Sequence, residues 1–376
     1  MLRPPVLNWA SLWKRSVVLT HCPSKSVMAR ELHAKRLEGV DKNIWVEFTQ
    51  LAAEYKVVNL GQGFPDFSPP SFIREAFCNA LNGGASMHQY TRAFGHPPLV
   101  KILAKFFGRI VGREIDPMED ILVTVGAYQA LFCTFQALIN EGDEVFQRDE
   151  LQMIADLCIK HDIICISDEV YEWLTYDGEK HIKIASLPGM WERTVTIGSA
   201  GKTFSATGWK VGWAMGPGHI MKHLKTVHQN SVYHTATAAQ EAVAMGFQKE
   251  YDTFGTEESY FKQLPAMLHA KRLRLAECLR SVGLEPIMPQ GGYFMITDIS
   301  GLKVDLNDPS TKGEPYDFRI VKWLIKEKGL ATIPVSGFYS QEHSGDFQKY
   351  IRFCFVKEDS TLKAAEDILK QWRIKQ

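Results

Sequence analysis

Apolar and polar positions along this chain repeat with two different periods. In DILVTVGAYQALFCTFQALIN (Asp120–Asn140) an unbroken apolar run gives way at Gly126 to residues spaced for one helical face. That change predicts a buried strand, a turn, and a helix ending before Glu141–Gly142. HDIICISDEVYEWL repeats the theme, with an apolar strand that ends in two acids. RTVTIGSAGKTFSATGWKVGWAMGP predicts a third strand, a loop of small residues and a short fourth strand. From Met221 to Cys278 the spacing is helical with polar interruptions. From Gly292 onward, short strands (YFMITDI, YIRFCFV) mix with helices such as FRIVKWLIKEKG, which suggests a smaller α+β domain. Strands and helices in alternation make this an α/β protein with a mostly parallel sheet.

One junction breaks the pattern. EGDEVFQRDELQMIADLC (Glu141–Cys158) starts as a buried strand, stops after Val145–Phe146, and resumes with helical spacing.

Composition narrows the class. Apolar residues make up 45% and charged residues 23%, as in a globular protein. Lys plus Arg equals Asp plus Glu at 43 each, so no bulk field favours nucleic acid or an anionic membrane. No apolar run approaches the roughly 20 residues of a membrane span. Seven scattered cysteines without a C-x-x-C pair argue against a disulfide framework or a zinc site. The first thirty residues are basic (Arg3, Lys14, Arg15, Lys25, Arg30) and free of acids. Val6, Trp9, Leu12 and Trp13 would share a helical face there, the character of a mitochondrial transit peptide; a disordered leader is the plainer reading. Met28 offers a second start and a cytoplasmic form.

Four elements carry possible chemistry. Lys202 follows an apolar strand and sits among Gly, Ser, Ala and Thr. A lysine is ordinarily a solvated charge, but at the mouth of a buried sheet it can be desolvated and made nucleophilic. A phosphate-binding P-loop fails, because Thr196 stands where the motif needs glycine, and FSATGWK is poor in helix formers. Asp168 closes an apolar strand with Tyr171 three residues on. It is either a helix N-cap or a ligand-facing acid, such as one that keeps a pyridine nitrogen protonated. Gly126 and Ala127 bare the backbone where a strand opens into a helix, a geometry that suits a phosphate. Ser199 and Lys210 could add a hydroxyl and a cation to it. Arg352, alternating with apolar residues in YIRFCFV, either pairs with a structural acid or clamps a carboxylate.

LGQGFPDF, QYTRAFGHPPL, VTVGAYQAL, ISDEVYEWL, GSAGKTFSATGWKVGW and YIRFCFV, in this order, resemble the fold-type I pyridoxal phosphate aminotransferases. Within these the chain is most similar to the kynurenine aminotransferases, also called cysteine-S-conjugate β-lyases. The likeness runs from about Arg30 to the C-terminus. It implies a leader (1–28), an arm with part of the small domain (29–75), a large cofactor domain (76–299) and a small C-terminal domain (300–376). It implies Lys202 as the Schiff-base lysine, Asp168 on the pyridinium nitrogen and Tyr171 on the ring's phenolic oxygen. Gly126, Ala127, Ser199 and Lys210 would hold the phosphate, joined by Tyr90 from the other subunit of a homodimer. Arg352 would clamp the substrate carboxylate, and Trp45, Gly63 and Tyr128 would line the pocket. The implied reactions are ping-pong transamination of kynurenine and other aromatic or sulfur amino acids with a 2-oxo acid, and β-elimination of cysteine S-conjugates.

The likeness breaks at the junction. After EGDEV the family continues through strands that carry an aromatic residue stacked on the pyridine ring and an Asn-Pro turn. Roughly two βαβ units, on the order of 60 residues, are missing here. Removing interior strands leaves buried backbone groups unpaired, at about 1–3 kcal/mol each. The alternative reading is therefore a catalytically silent chain that acts by pairing with a full-length subunit.

Overall fold

The computed structural model describes residues 43–138, 151–302, 304–340 and 342–371. The leader and the Val145–Phe146 junction lie outside them. Residues 45–376 make one compact unit built on two four-stranded sheets.

The first sheet contains β1 (Ile121–Val125), β2 (Cys165–Asp168), β3 (Thr194–Ser199) and β4 (Val211–Met215), in the order β1–β4–β3–β2. β2 and β3 pair in parallel, whereas β4 is antiparallel to both β1 and β3. Three strands therefore run one way, as the hydrophobic pattern predicts, and β4 runs against them. The reversal has a simple cause. Parallel neighbours need a crossover of about a dozen residues or more, usually helical. The link from Ser199 to Val211 holds only a single helical turn (Ala200–Thr203) and a 3₁₀ turn (Thr207–Trp209). The second sheet, β5 (Pro286–Ile287), β6 (Phe294–Asp298), β7 (Ile333–Pro334) and β8 (Tyr350–Cys354), is antiparallel throughout in the order β5–β6–β8–β7.

Helices α1 (Ile44–Tyr55), α2 (Ser71–Leu81) and α3 (Pro97–Val111) precede β1. α4 (Gly126–Leu138) follows β1 directly, and α5 (Leu151–His161) leads into β2. α6 (Gly218–Ser231), α7 (Thr237–Thr253) and α8 (Tyr260–Ser281) fill the long helical stretch. α9 (Tyr316–Trp323) and α10 (Asp359–Gln371) belong to the last third. Local chemistry sets several of these limits. Pro97 opens α3 where a missing N–H costs nothing, and Gly112 closes it at φ 72°, a left-handed turn that favours glycine. Among the described residues no helix is long and apolar enough to cross a membrane.

Leu122, Val195, Ile197 and Ala214 of the first sheet pack against Ala130 and Cys133 of α4 and Ile220, Met221 and Leu224 of α6. Strands β3 and β4 are buried from end to end. β2 is only half-buried, and its last residue, Asp168, is exposed. No strand among the described residues pairs with its outer edge. Just before it, Ile163 and Ile164 are 44% and 40% exposed. A cavity of about 440 Å³ opens there, lined by Leu138 of α4, Ile164, Arg193 and His219 and His223 of α6.

Candidate active site

The single turn after β3 carries Lys202 inward. Its ammonium donates to the Gly63 carbonyl at 3.0 Å and to the Tyr293 hydroxyl at 2.6 Å. Tyr293 in turn donates to the same carbonyl at 2.8 Å. Its ring stands edge-on to that of Tyr171, with 4.9 Å between centroids. The lysine is therefore walled by two phenol rings, where the small residues around it in sequence suggest an open setting. Burial lowers the pKa of its ammonium, and the cations of Lys210 and Arg352 push the same way. A larger share of the neutral, nucleophilic amine results.

Arg352 lies on β8, opposite Ile296 of β6 and Ile333 of β7. Its guanidinium sits 3.8 Å from the Phe294 ring centre, 4.8 Å from Phe338 and 5.3 Å from Trp45. One terminal nitrogen donates to the Gly61 carbonyl at 3.4 Å, and its buried Nε has no partner among the described residues. None of the ion pairs among the described residues involves it, so the structural-acid reading of this arginine does not hold. A half-buried cation with a donor to spare can receive a carboxylate.

Gly63 ties these two ends together. A Cβ there would lie 2.4 Å from the Phe294 ring and 3.3 Å from Tyr293, so only glycine lets its carbonyl face the lysine. Tyr293 and Phe294 escape notice in the sequence, where they are simply the first residues of an apolar strand. The available signal is their place directly after Gly291–Gly292, where a bare backbone precedes two aromatic rings.

Gly126 begins α4 at φ 73°, and a Cβ on it would lie 3.5 Å from the Lys210 ammonium. A Cβ on Gly212 would lie 2.5 Å from the Ala127 nitrogen, so this turn is pressed onto β4. Lys210 adopts a left-handed conformation at φ 55°. Ser199 ends β3, buried. The N-terminus of a 13-residue helix, a hydroxyl and a cation thus surround one strand end, the donor set a phosphate requires.

The remaining positions are less enclosed. Asp168 stands at the end of the sheet's edge strand and accepts from the Val170 backbone at 3.4 Å. The protein around it raises its carboxyl above the usual range, Glu169 adds to this, and the Val170 contact and Lys202 oppose it. Tyr171 is half-buried, and burial raises its phenol. Tyr128 is 81% exposed and Tyr90 is 78% exposed. Tyr90 meets the rings of Tyr233 (5.6 Å) and His234 (4.9 Å). Trp45 packs on Phe338 at 5.8 Å.

A family profile described as aminotransferase class I and II matches residues 55–148 and 144–368. This chain belongs to the class I and II aminotransferases. The two matched stretches meet at 144–148, across the junction where the strand pattern breaks off. Kynurenine–oxoglutarate transaminase 1 of Homo sapiens is 50% identical over 420 residues, spanning 92% of this chain and 100% of that protein. Kynurenine–oxoglutarate transaminase 3 of Homo sapiens is 46% identical over 430 residues, spanning 96% and 94%. Both alignments are longer than the 376 residues of this aminotransferase, so each relative has residues without a counterpart here. Among solved structures, Bna3p from Saccharomyces cerevisiae superposes with a TM-score of 0.83 at 25% identity, covering 92% of this chain and 99% of that one. N-succinyldiaminopimelate aminotransferase from Mycobacterium tuberculosis gives 0.80 at 28%, covering 90% and 99%. The fold is that of the fold-type I enzymes, and the cofactor of the family is pyridoxal phosphate. The residues of this aminotransferase fit that cofactor at the phosphate end and at the lysine. Asp168, the residue that would meet the ring nitrogen, is exposed.

Proposed function

We propose that this aminotransferase passes the amino group of kynurenine and other aromatic or sulfur amino acids to a 2-oxo acid, and that it eliminates across the β-bond of cysteine S-conjugates. The relatives named above support the substrate class. The observation that carries the reading is the pairing of a desolvated Lys202 with Arg352, a cation without an acidic partner among the described residues, across Gly63 and Phe294. Pyridoxal phosphate, when bound, supplies the electron sink that makes an α-carbon acidic. Lys202 would anchor it and then carry the proton to and from that carbon. Arg352 would fix the substrate carboxylate in two-point fashion, which sets the α-proton toward the lysine. Gly126, Ala127, Ser199 and Lys210 would hold the phosphate, with Tyr90 reaching it from the second subunit of a homodimer. Asp168 would keep the ring nitrogen protonated, and Tyr171 would donate to the phenolic oxygen. Trp45, Gly63 and Tyr128 would wall the side-chain pocket. In this reading residues 76–299 form the cofactor domain, 300–376 with part of 29–75 the small domain, and 1–28 a mitochondrial leader.

A second reading rests on the bare outer edge of β2 and the exposure of Asp168 and Tyr128. In it the chain keeps the amine and the carboxylate receptor, holds cofactor weakly, and acts by pairing with a full-length subunit. One experiment separates the two. The purified chain is mixed with pyridoxal phosphate and scanned for the visible absorbance of lysine-bound cofactor. Absorbance that Lys202→Ala abolishes supports the enzyme. A soluble chain that never takes up cofactor supports the silent subunit.

A further inference from the structure

The turn that follows β2 has two faces. Tyr171 looks toward Tyr293 and Lys202. Two residues on, Trp173 turns the other way and stacks on Phe261 of α8, with 4.3 Å between centroids and 15° between planes. A cavity of about 360 Å³ opens behind it, lined by Trp173, Phe254, Phe261, Pro265 and Lys180 among others.

We propose that this cavity is a second binding site, separate from the lysine site, for a small aromatic carboxylate.

Its chemistry supplies each part of that ligand. The Trp173–Phe261 stack, with Phe254 edge-on to Trp173 at 5.9 Å, gives an apolar wall for a flat ring. The indole Nε1 of Trp173, a residue of the lining, is buried and has no hydrogen-bond partner among the described residues. At the rim Lys180 is exposed and has no acidic partner among the described residues, whereas Lys262 is shared with Glu257. The acid in the lining, Glu172, is taken up by Lys183 at 2.5 Å, and Lys183 also binds Glu169 at 2.8 Å. His181 is held by Glu169 at 3.0 Å. Lys180 is thus the charge left over, and it calls for an anion.

The test uses para-fluorobenzoate as probe and the full chain carrying Arg352→Ala, which removes the carboxylate receptor of the other site. Fluorine NMR should show saturable broadening of the probe. Lys180→Glu in that background should weaken binding roughly tenfold. Trp173→Phe, which keeps the ring and loses the N–H, should weaken it about threefold to tenfold. Neutral para-fluorobenzyl alcohol should bind less tightly than the carboxylate by about the same factor as the lysine reversal. Lys363→Glu, an exposed lysine on α10, should change nothing. The proposal falls if the Arg352→Ala chain does not bind the carboxylate, or if Lys180→Glu and Trp173→Phe leave binding as it was. Because Arg352 is absent from every arm, either outcome is independent of whether the chain transaminates.

Discussion

β3 and β2 lie side by side in one sheet, pair in parallel and differ in almost everything else. β3 has a neighbour on each side and no exposed residue. Among the described residues β2 has one neighbour, no fully buried residue, and exposed isoleucines just before it. The site follows the same divide. Its lysine comes from the turn after β3, close to β4, β6 and β8, and is enclosed by rings and hydrogen bonds. Its acid comes from β2 and faces solvent. A parallel sheet depends on cover from both sides, so a strand that loses a neighbour loses with it the enclosure that tunes its terminal residues. Motifs survive such a loss in sequence more easily than their surroundings survive in space.

The largest effect expected is at the amine. Lys202→Ala should remove the visible absorbance of bound cofactor and cut transamination by about a thousandfold or more, since no neighbouring group can form the same bond. Stopped-flow absorbance with an amino donor checks this. Next comes the contrast between the strands. Ile197→Ala in β3 should lower stability by about 2–5 kcal/mol, and Ile164→Ala beside β2 by less than about 0.5 kcal/mol. Urea unfolding of both variants measures the gap. Equal losses would show that the edge is covered in solution. Arg352→Lys keeps the charge and loses the fork. It should raise KM for the amino donor roughly thirtyfold with a smaller change in kcat. Tyr293→Phe should have the smallest effect, a few-fold fall in kcat from the loss of about 1 kcal/mol of hydrogen bonding to the amine. It also takes a hydrogen-bond acceptor from the ammonium, so the Lys202 amine should deprotonate at a lower pH than in the parent chain. The pH profile of lysine modification by mass spectrometry reads that shift.

Most of the frame was legible from periodicity. The apolar run before Gly126 is β1, and the helix it announces is seen over Gly126–Leu138, while its expected end before Glu141–Gly142 lies outside the described residues. Both local signals, strand burial and a glycine turn, come from residues adjacent in the chain. Lys202 was legible as a candidate because it follows an apolar strand among small residues, and Arg352 because it alternates with apolar residues. Their states were not. Whether Arg352 meets an acid depends on which residues Phe294, Phe338 and Trp45 bring beside it, and these lie far apart in sequence. Tyr293 was hidden for the same reason, since its partner Gly63 is 230 residues away. The direction of β4 was hidden because an apolar strand reads alike both ways. Only the short link from β3 determines it. The exposure of Asp168 was hidden, since nothing in the acid's own neighbourhood signals it.

Gly63 has one further consequence, for inheritance. Every first- or second-base change in a glycine codon either ends the chain or installs at least a Cβ, here 2.4 Å from the Phe294 ring. That ring carries the Arg352 guanidinium, while the Gly63 carbonyl holds the Lys202 ammonium. One missense change at this codon would therefore disturb the placement of the Arg352 guanidinium and of the Lys202 amine together. Carriers of such an allele would present a compound defect in binding and chemistry from a single altered base.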